Sequence, residues 1–130
     1  MSTAPKHLWK NHGPRLNSFA EQHKTQVWYY TCDITDEDAV GVLFETAMAK
    51  TRYPLRGLVT CAGISGGGPT VDFPVEKVRR IMEINVMGTF ICAQAAARGM
   101  RKCDVTGSMV FVASMSAHGS NKVRMATLNP

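Results

Sequence analysis

The chain has 130 residues, of which 45% are hydrophobic and 19% charged, which suits one compact domain and is too little for two. This balance excludes a disordered chain, and no apolar run reaches the ~20 residues that a membrane-spanning helix needs. The net charge of +5 comes from basic residues spread along the sequence without interleaved aromatic residues, so nucleic-acid binding is only a weak alternative. We therefore expect no membrane or nucleic-acid partner.

In the first third of the chain, the residue composition begins to favour a strand near residue 26. Residues 1–16 show no period and contain Gly13 and Pro14, so we expect an irregular segment, followed by a short helix over residues 16–23. Residues 26–32 are rich in Val, Trp and Tyr, which favour a strand. No apolar stretch typical of a secretory signal occurs in the first ten residues, and we expect a cytoplasmic protein.

The clearest helix follows this predicted strand. Thr35 and Asp38 form an S/T-x-x-D/E start signal, and Pro54 lies just beyond the expected end. The apolar residues between them follow the helical period and form a single face: Val40, Leu43, Phe44, Ala47 and Met48.

The second half of the sequence predicts two more strands around one long helix. Residues 57–61 are short, apolar and β-branched, and they run into a loop with four glycines in the six residues from Gly63, which indicates a mobile or tightly turned segment. A helical pattern extends over residues 75–102, and residues 108–113 form another apolar strand. Residues 117–130 lose all periodicity, and we expect an irregular tail.

Alternating helices and short apolar strands predict an α/β fold with a parallel sheet covered on both faces. In such sheets, ligands bind beyond the carboxyl ends of the strands. We therefore expect three groups along one rim: Asp33, the loop of residues 62–68, and residues 114–116. We predict three parts of the chain. Residues 1–25 form an irregular segment with a short helix, residues 26–116 form the α/β domain, and residues 117–130 form the irregular tail.

Three polar residues near this rim each allow two interpretations. Asp33 either favours the start of a helix or accepts a hydrogen bond from an adenine-like donor. Asn85, polar within an apolar helical face, is either a satisfied structural amide or a site residue that holds water or bends the helix. Ser114 either forms a turn or polarises a carbonyl oxygen, and because no histidine stands at motif spacing from it, a hydrolase triad is improbable.

Metal and disulfide chemistry are not indicated by the remaining candidates. The four cysteines form no C-x-x-C pair, and three of them lie in apolar stretches, so we expect reduced and mostly buried thiols. The histidines lack the spacing of metal ligands, and we assign no metal site.

Together, four segments resemble the short-chain dehydrogenases/reductases. Residues 32–36 (Cys-Asp-Ile-Thr-Asp) resemble that family's Asp-Val/Ile-Thr segment, and residues 58–64 resemble its Asn-Asn-Ala-Gly strand end, with Thr60 and Cys61 in place of the two asparagines. Residues 84–90 resemble the segment of the catalytic Asn, and residues 107–116 the strand of the catalytic Ser. Residues 60–69 and 93–97 are similar to fungal NADP-dependent polyol and ketose reductases of the mannitol dehydrogenase and sorbose reductase type.

The resemblance implies a partial Rossmann-like doubly wound sheet that lacks the first βα unit and the C-terminal strands, in a family strand order of 3-2-1-4-5-6-7. It implies catalytic roles for Asn85 and Ser114. It also implies NADP or NAD as cofactor, a small sugar or polyol as substrate, and a homo-oligomer as one possible assembly. The cofactor-binding residues that it implies are Asp33, Ile34, Cys61, Ala62 and Gly63.

Two elements of the family pattern do not occur in the sequence. There is no Thr-Gly-x-x-x-Gly-x-Gly loop, and none of the tyrosines, at positions 29, 30 and 53, has a lysine four residues on. We therefore expect a fragment of an oxidoreductase that is inactive as it stands. The alternative is a non-catalytic subunit that pairs with intact relatives through the helix of residues 75–102.

Overall fold

The structure is a computed structural model that describes residues 6–114, with side chains from Pro14 onward. It divides the chain into two units between Asp33 and Ile34. The predicted tail of residues 117–130 lies outside the described residues, and the predicted boundaries of the domains stay a prediction.

The first unit contains helix α1, Lys6–Gln22, so the prediction of an irregular segment was wrong for residues 6–15. Pro14 lies inside this helix. A proline removes one backbone hydrogen bond, but the amides on both sides of it still allow the helix to continue. Beyond α1, Lys24 takes a left-handed φ of 51°, and the amide of Thr25 donates to the carbonyl of Ala20 at 2.9 Å, which ends the helix.

The predicted strand of residues 26–32 is wrong, because these residues have no regular secondary structure. Aromatic and β-branched residues favour a strand only where a neighbouring strand accepts and donates hydrogen bonds. In the family strand order, two strands lie between this segment and the strand of residues 57–61. No sequence here resembles the first of those two strands with its glycine-rich loop.

The second unit begins with helix α2, Glu37–Lys50, whose first turn is capped by a side chain. Asp36 has an extended backbone, and its carboxylate accepts a hydrogen bond from the amide of Ala39 at 3.0 Å. The predicted start signal at Thr35 was therefore one residue early; threonine and aspartate both cap helices.

Replacing Asp36 by alanine should lower the free energy of unfolding by about 1 kcal/mol, because the amide of Ala39 loses its acceptor. Asp36→Asn keeps a capping oxygen and should stay close to the wild type. Urea denaturation of the three proteins checks this, and equal stabilities for Asp36→Ala and Asp36→Asn would contradict the cap.

Within the described residues, the sheet has two parallel strands, β1, Gly57–Thr60, and β2, Ser108–Phe111. Their direction confirms the predicted parallel sheet. Leu58 pairs with Met109, and both are half-buried on the sheet, while helix α4, Thr89–Lys102, packs against β1.

The prediction that both faces of the sheet are covered was wrong for the described residues. Val59, Val110 and Val112 are 62%, 53% and 58% exposed. The apolar pattern is that of a sheet buried on both sides, because residues of both parities are apolar. The described part of the chain leaves this face open.

The predicted helix of residues 75–102 is confirmed as a continuous helical run with an irregular centre. It consists of α3, Val75–Met82, a π-helical segment, Glu83–Gly88, and α4. Helix α4 packs against α2, and three apolar side chains of these two helices are at most 6% exposed: Val40, Ala96 and Met100.

Helix α4 ends with Asp104 in the left-handed region, at a φ of 51°, where the amide of Val105 donates to the carbonyl of Met100 at 3.0 Å. Glycine adopts this conformation without the steric penalty of a Cβ atom. Asp104→Gly should therefore raise the free energy of unfolding by about 0.5–1 kcal/mol. The control Ala97→Gly, at an exposed position within α4, should lower it by about 1 kcal/mol. Thermal melts compare the two, and a destabilised Asp104→Gly would contradict this helix end.

None of the helices in the part of the chain that the structure describes is long and apolar enough to cross a membrane.

Candidate functional site

The carboxyl ends of β1 and β2 meet at one edge of the sheet. Thr60 pairs with Phe111 in the parallel register, and the amide of Val112 donates to the carbonyl of Thr60 at 2.9 Å. The chain segments that carry Cys61 and Ser114 therefore leave the sheet at the same edge, as expected for a ligand-binding rim.

Asn85 reaches this edge from the π segment and binds the loop that follows β1. Its side-chain oxygen accepts a hydrogen bond from the amide of Ile64 at 2.8 Å, and its side-chain amide donates to the carbonyl of Ile64, also at 2.8 Å. The Asn85 side chain thus satisfies both backbone groups of one loop residue. The amide is structurally satisfied, as one of the two predicted interpretations requires, and its partner lies in a predicted site loop.

The backbone around Asn85 is π-helical, from Glu83 to Gly88. Single π-helical turns within α-helices are rare and frequently occur at functional sites. Gly63 lies beside the Asn85 amide, since a Cβ atom on Gly63 would lie 3.3 Å from the Asn85 side-chain oxygen. The structure therefore brings together Gly63, Ile64 and Asn85, of which Ile64 was not among the predicted site residues.

The glycine-rich loop is supported on its other side by an aromatic ring. A Cβ atom on Gly66 would collide with Cζ of Phe73, and one on Gly68 would lie 3.4 Å from Cδ2 of the same ring. Phe73 is half-buried. Of the two predicted alternatives, mobile or tightly turned, this packing fits a turned loop that wraps around the ring.

Two of the residues predicted to bind the cofactor, Asp33 and Ile34, fall on either side of the boundary between the units. Asp33 is the last residue of the first unit and is half-buried. Ile34 begins the second unit and lies against Gly88, where a Cβ atom would be 2.6 Å from Cγ1 of Ile34. No sequence signal marked Gly88 as the partner of Ile34.

The cysteines do not lie in the core, contrary to expectation. Cys61 and Cys103 are exposed, and Cys32 and Cys92 are half-buried. Three of them lie in apolar segments of the sequence. Cys61 nevertheless follows β1 at the carboxyl edge of the sheet, where apolar neighbours in the sequence do not bury it. Among the side chains that the structure describes, those of residues 14–114, no cluster of three potential metal ligands occurs.

Two basic side chains of α3 form ion pairs within the helical run of residues 75–102. Arg79 binds Glu76 at 2.8 Å and Arg80 binds Glu83 at 2.7 Å, each between residues three apart on the helix. Exposed pairs of this kind contribute little to stability. They do balance the positive charge locally, so this helix presents mixed charge and not a basic patch.

Comparison with known proteins identifies the family. The family model for short chain dehydrogenase matches residues 7–126. The chain belongs to the short-chain dehydrogenase family. A short-chain dehydrogenase/reductase of Aspergillus versicolor is 53% identical over 107 residues, which are 82% of this chain and 37% of that protein.

Other members of the short-chain dehydrogenase family share lower identity over similar stretches. D-arabinitol 2-dehydrogenase (ribulose-forming) of Candida tropicalis is 31% identical over 91 residues, which are 70% of this chain and 32% of the enzyme. The crystal structure of an NAD⁺-bound xylitol dehydrogenase superposes with a TM-score of 0.73 at 28% identity, covering 85% of this chain and 42% of that one. The chain thus spans about a third of the length of the curated relatives it matches.

The expected fold class is confirmed. The solved relatives are short-chain dehydrogenases, and the described part of this chain is a partial α/β fold whose parallel sheet has two strands.

Proposed function

We propose that the chain forms part of an NADP- or NAD-dependent oxidoreductase that acts on a polyol or the corresponding ketose. The observation that carries this proposal is the pair of hydrogen bonds between Asn85 and Ile64 at the carboxyl edge of the sheet. This contact joins the strand end that resembles the family's cofactor-binding segment to the helix that resembles its catalytic Asn segment. The relatives named for D-arabinitol and xylitol support a polyol substrate.

The cofactor would be held by Asp33, Ile34, Cys61, Ala62 and Gly63. The residues that follow β1 fit a bound nucleotide, because Gly63 has no Cβ atom and Asn85 restrains the backbone of the next residue. The pyrophosphate of the cofactor would lack its usual backbone contacts, because no glycine-rich phosphate loop occurs in the sequence. When bound, a nicotinamide cofactor supplies or accepts the hydride.

Of the two residues predicted to be catalytic, Ser114 would contact the substrate and Asn85 would position the loop after β1. Ser114 follows β2 at the same edge as Gly63, where its hydroxyl can donate a hydrogen bond to a substrate oxygen. Both side-chain groups of Asn85 already bind Ile64, so its side chain acts by holding the loop. The sequence holds no Tyr-x-x-x-Lys pair to transfer the proton, and general acid–base catalysis typically supplies ~10²–10⁴-fold in rate.

Two measurements on the purified chain test this proposal. Titration with NADPH and NADH, followed by nucleotide fluorescence, should show saturable binding that Gly63→Val abolishes and the exposed-site control Gly67→Ala leaves unchanged, since a Cβ atom on Gly67 meets nothing within 4 Å. Oxidation of NADPH with fructose, sorbose or xylulose should stay at background. Absence of binding at millimolar nucleotide would overturn the proposed site, and turnover would overturn the proposed inactivity.

A non-catalytic subunit that pairs with intact family members is a second candidate, favoured by the exposed apolar residues of the helical run. Val75, Val78, Met82 and Phe90 are between 44% and 62% exposed. Such a surface is unusual for a protein without a partner there. Co-expression with a full-length relative should then give a complex that Met82→Glu disrupts, and two separate species in gel filtration would count against it.

A further inference from the structure

The π segment that carries Asn85 makes a second close contact, three residues further on. Gly88 is buried, and a Cβ atom on it would lie 2.6 Å from Cγ1 and 2.7 Å from Cδ1 of Ile34. Side chains do not approach each other this closely, so Ile34 could not keep its position if residue 88 carried even a methyl group. Ile34 therefore occupies a space against the helix backbone that only glycine leaves open.

This contact places a second loop on the same helical segment. Ile34 lies two residues before Asp36, which caps α2 and accepts hydrogen bonds from the amides of Ala39 and Val40 at 3.0 Å. Asn85 in the π segment binds the loop after β1 by hydrogen bonds. Gly88 in the same segment contacts Ile34, which leads into α2. Residues 26–32, which precede this segment, have no regular secondary structure.

We propose that Gly88 is a positioning residue that sets the place of Ile34, and with it the start of α2, relative to the loop at Ile64. The π segment then fixes the spacing between two loops, one by hydrogen bonds and the other by the absence of a side chain. The inference rests on the proposed function only in assigning both loops to one nicotinamide cofactor, and the packing itself does not depend on that assignment.

A compensating double substitution tests the packing without any cofactor. In Gly88→Ala, amide hydrogen exchange at Ala39 and Val40 should become about tenfold faster or more, since overpacking at a buried site displaces the segment at Ile34. Gly88→Ala/Ile34→Ala should return exchange close to the wild-type rate, because the substitution removes Cγ1 and Cδ1 and leaves only the Ile34 Cβ, at 3.4 Å. Gly41→Ala is the matched control on a helix, since a Cβ atom there meets nothing within 4 Å.

The outcomes separate this inference from the proposed function. Equal exchange in Gly88→Ala and Gly41→Ala, or a change in Gly88→Ala that the second substitution does not relieve, would overturn the role of Gly88. If Gly88→Ala alone fails to fold, a folded double variant supports the proposal and an unfolded one contradicts it. Loss of NADPH binding in Gly88→Ala and its return in the double variant would extend the proposal to the cofactor. A wild type that binds no nucleotide would refute the proposed function and leave the exchange result standing.

Discussion

Replacing Met100 by alanine should cost about 2–5 kcal/mol of unfolding free energy, the largest effect that we expect from a single change. Met100 is 6% exposed in the contact between α4 and its neighbours, and its carbonyl also accepts the hydrogen bond that ends α4. Alanine would leave a cavity that surrounding side chains fill only in part. Because a domain is stable by only ~5–15 kcal/mol, this loss is a large share of the total and should lower the urea concentration at the unfolding midpoint.

The same substitution at an exposed methionine provides the control. Met82 lies in α3 and is 52% exposed, so Met82→Ala should change the unfolding free energy by no more than about 0.5 kcal/mol. Urea denaturation followed by circular dichroism compares the two variants. Equal effects at the two positions would show that Met100 does not belong to the core of the second unit.

Replacing Asn85 by leucine should lower the unfolding free energy by about 1–3 kcal/mol, because two hydrogen bonds to Ile64 are lost at ~0.5–1.5 kcal/mol each. Leucine keeps the branched shape and the number of side-chain heavy atoms, so the loss reports mainly on the hydrogen bonds. Ile64 is 42% exposed, and water can replace part of the lost bonding, which places the expected effect in the lower half of this range.

Two further variants show whether the effect comes from Asn85 holding Ile64. Asn85→Asp keeps an oxygen that accepts from the Ile64 amide but places a second carboxylate oxygen against the Ile64 carbonyl, so it should be at least as destabilising as Asn85→Leu. Asn17→Leu replaces an exposed amide on α1 and should have almost no effect. Thermal melts rank the four proteins by melting temperature. An Asn85→Leu protein as stable as Asn17→Leu would show that the hydrogen bonds between Asn85 and Ile64 do not stabilise the loop.

The elements that the sequence predicted well are those specified by local periodicity. Apolar residues at helical spacing marked α2, with Val40 on the buried side, and the long helical run up to Lys102. The strands at Gly57–Thr60 and Ser108–Phe111 were predicted within two residues of their ends, because short β-branched runs bounded by loops leave few alternatives.

The wrong predictions concern features that depend on distant parts of the chain. A strand at residues 26–32 needs a partner, and composition alone does not show whether one is present. Gly13 and Pro14 lowered the helical expectation for residues 6–15, although one missing hydrogen bond does not end a helix. The exposure of Val59 and Val110 follows from which elements cover the sheet, which is not a property of the strands themselves.

The candidate site was predictable in its residue types and not in its pairings. A polar amide in an apolar helical face marked Asn85, and the requirement that such an amide be satisfied predicted that it has partners. The partner is the backbone of Ile64, which any residue type could supply, so no sequence pattern identified it. The same holds for Gly88, whose role depends on the side chain of Ile34 more than fifty positions earlier in the chain.

The most direct measurement is the NMR spectrum of the isotope-labelled chain with and without NADPH. Without nucleotide, cross-relaxation should connect the side-chain amide protons of Asn85 to the backbone amide proton of Ile64. On titration, the signals of Gly63, Ile64 and Ser114 should shift together with one saturation curve. Missing cross-relaxation between Asn85 and Ile64, or nucleotide-dependent shifts confined to residues away from the carboxyl edge of the sheet, would contradict this account.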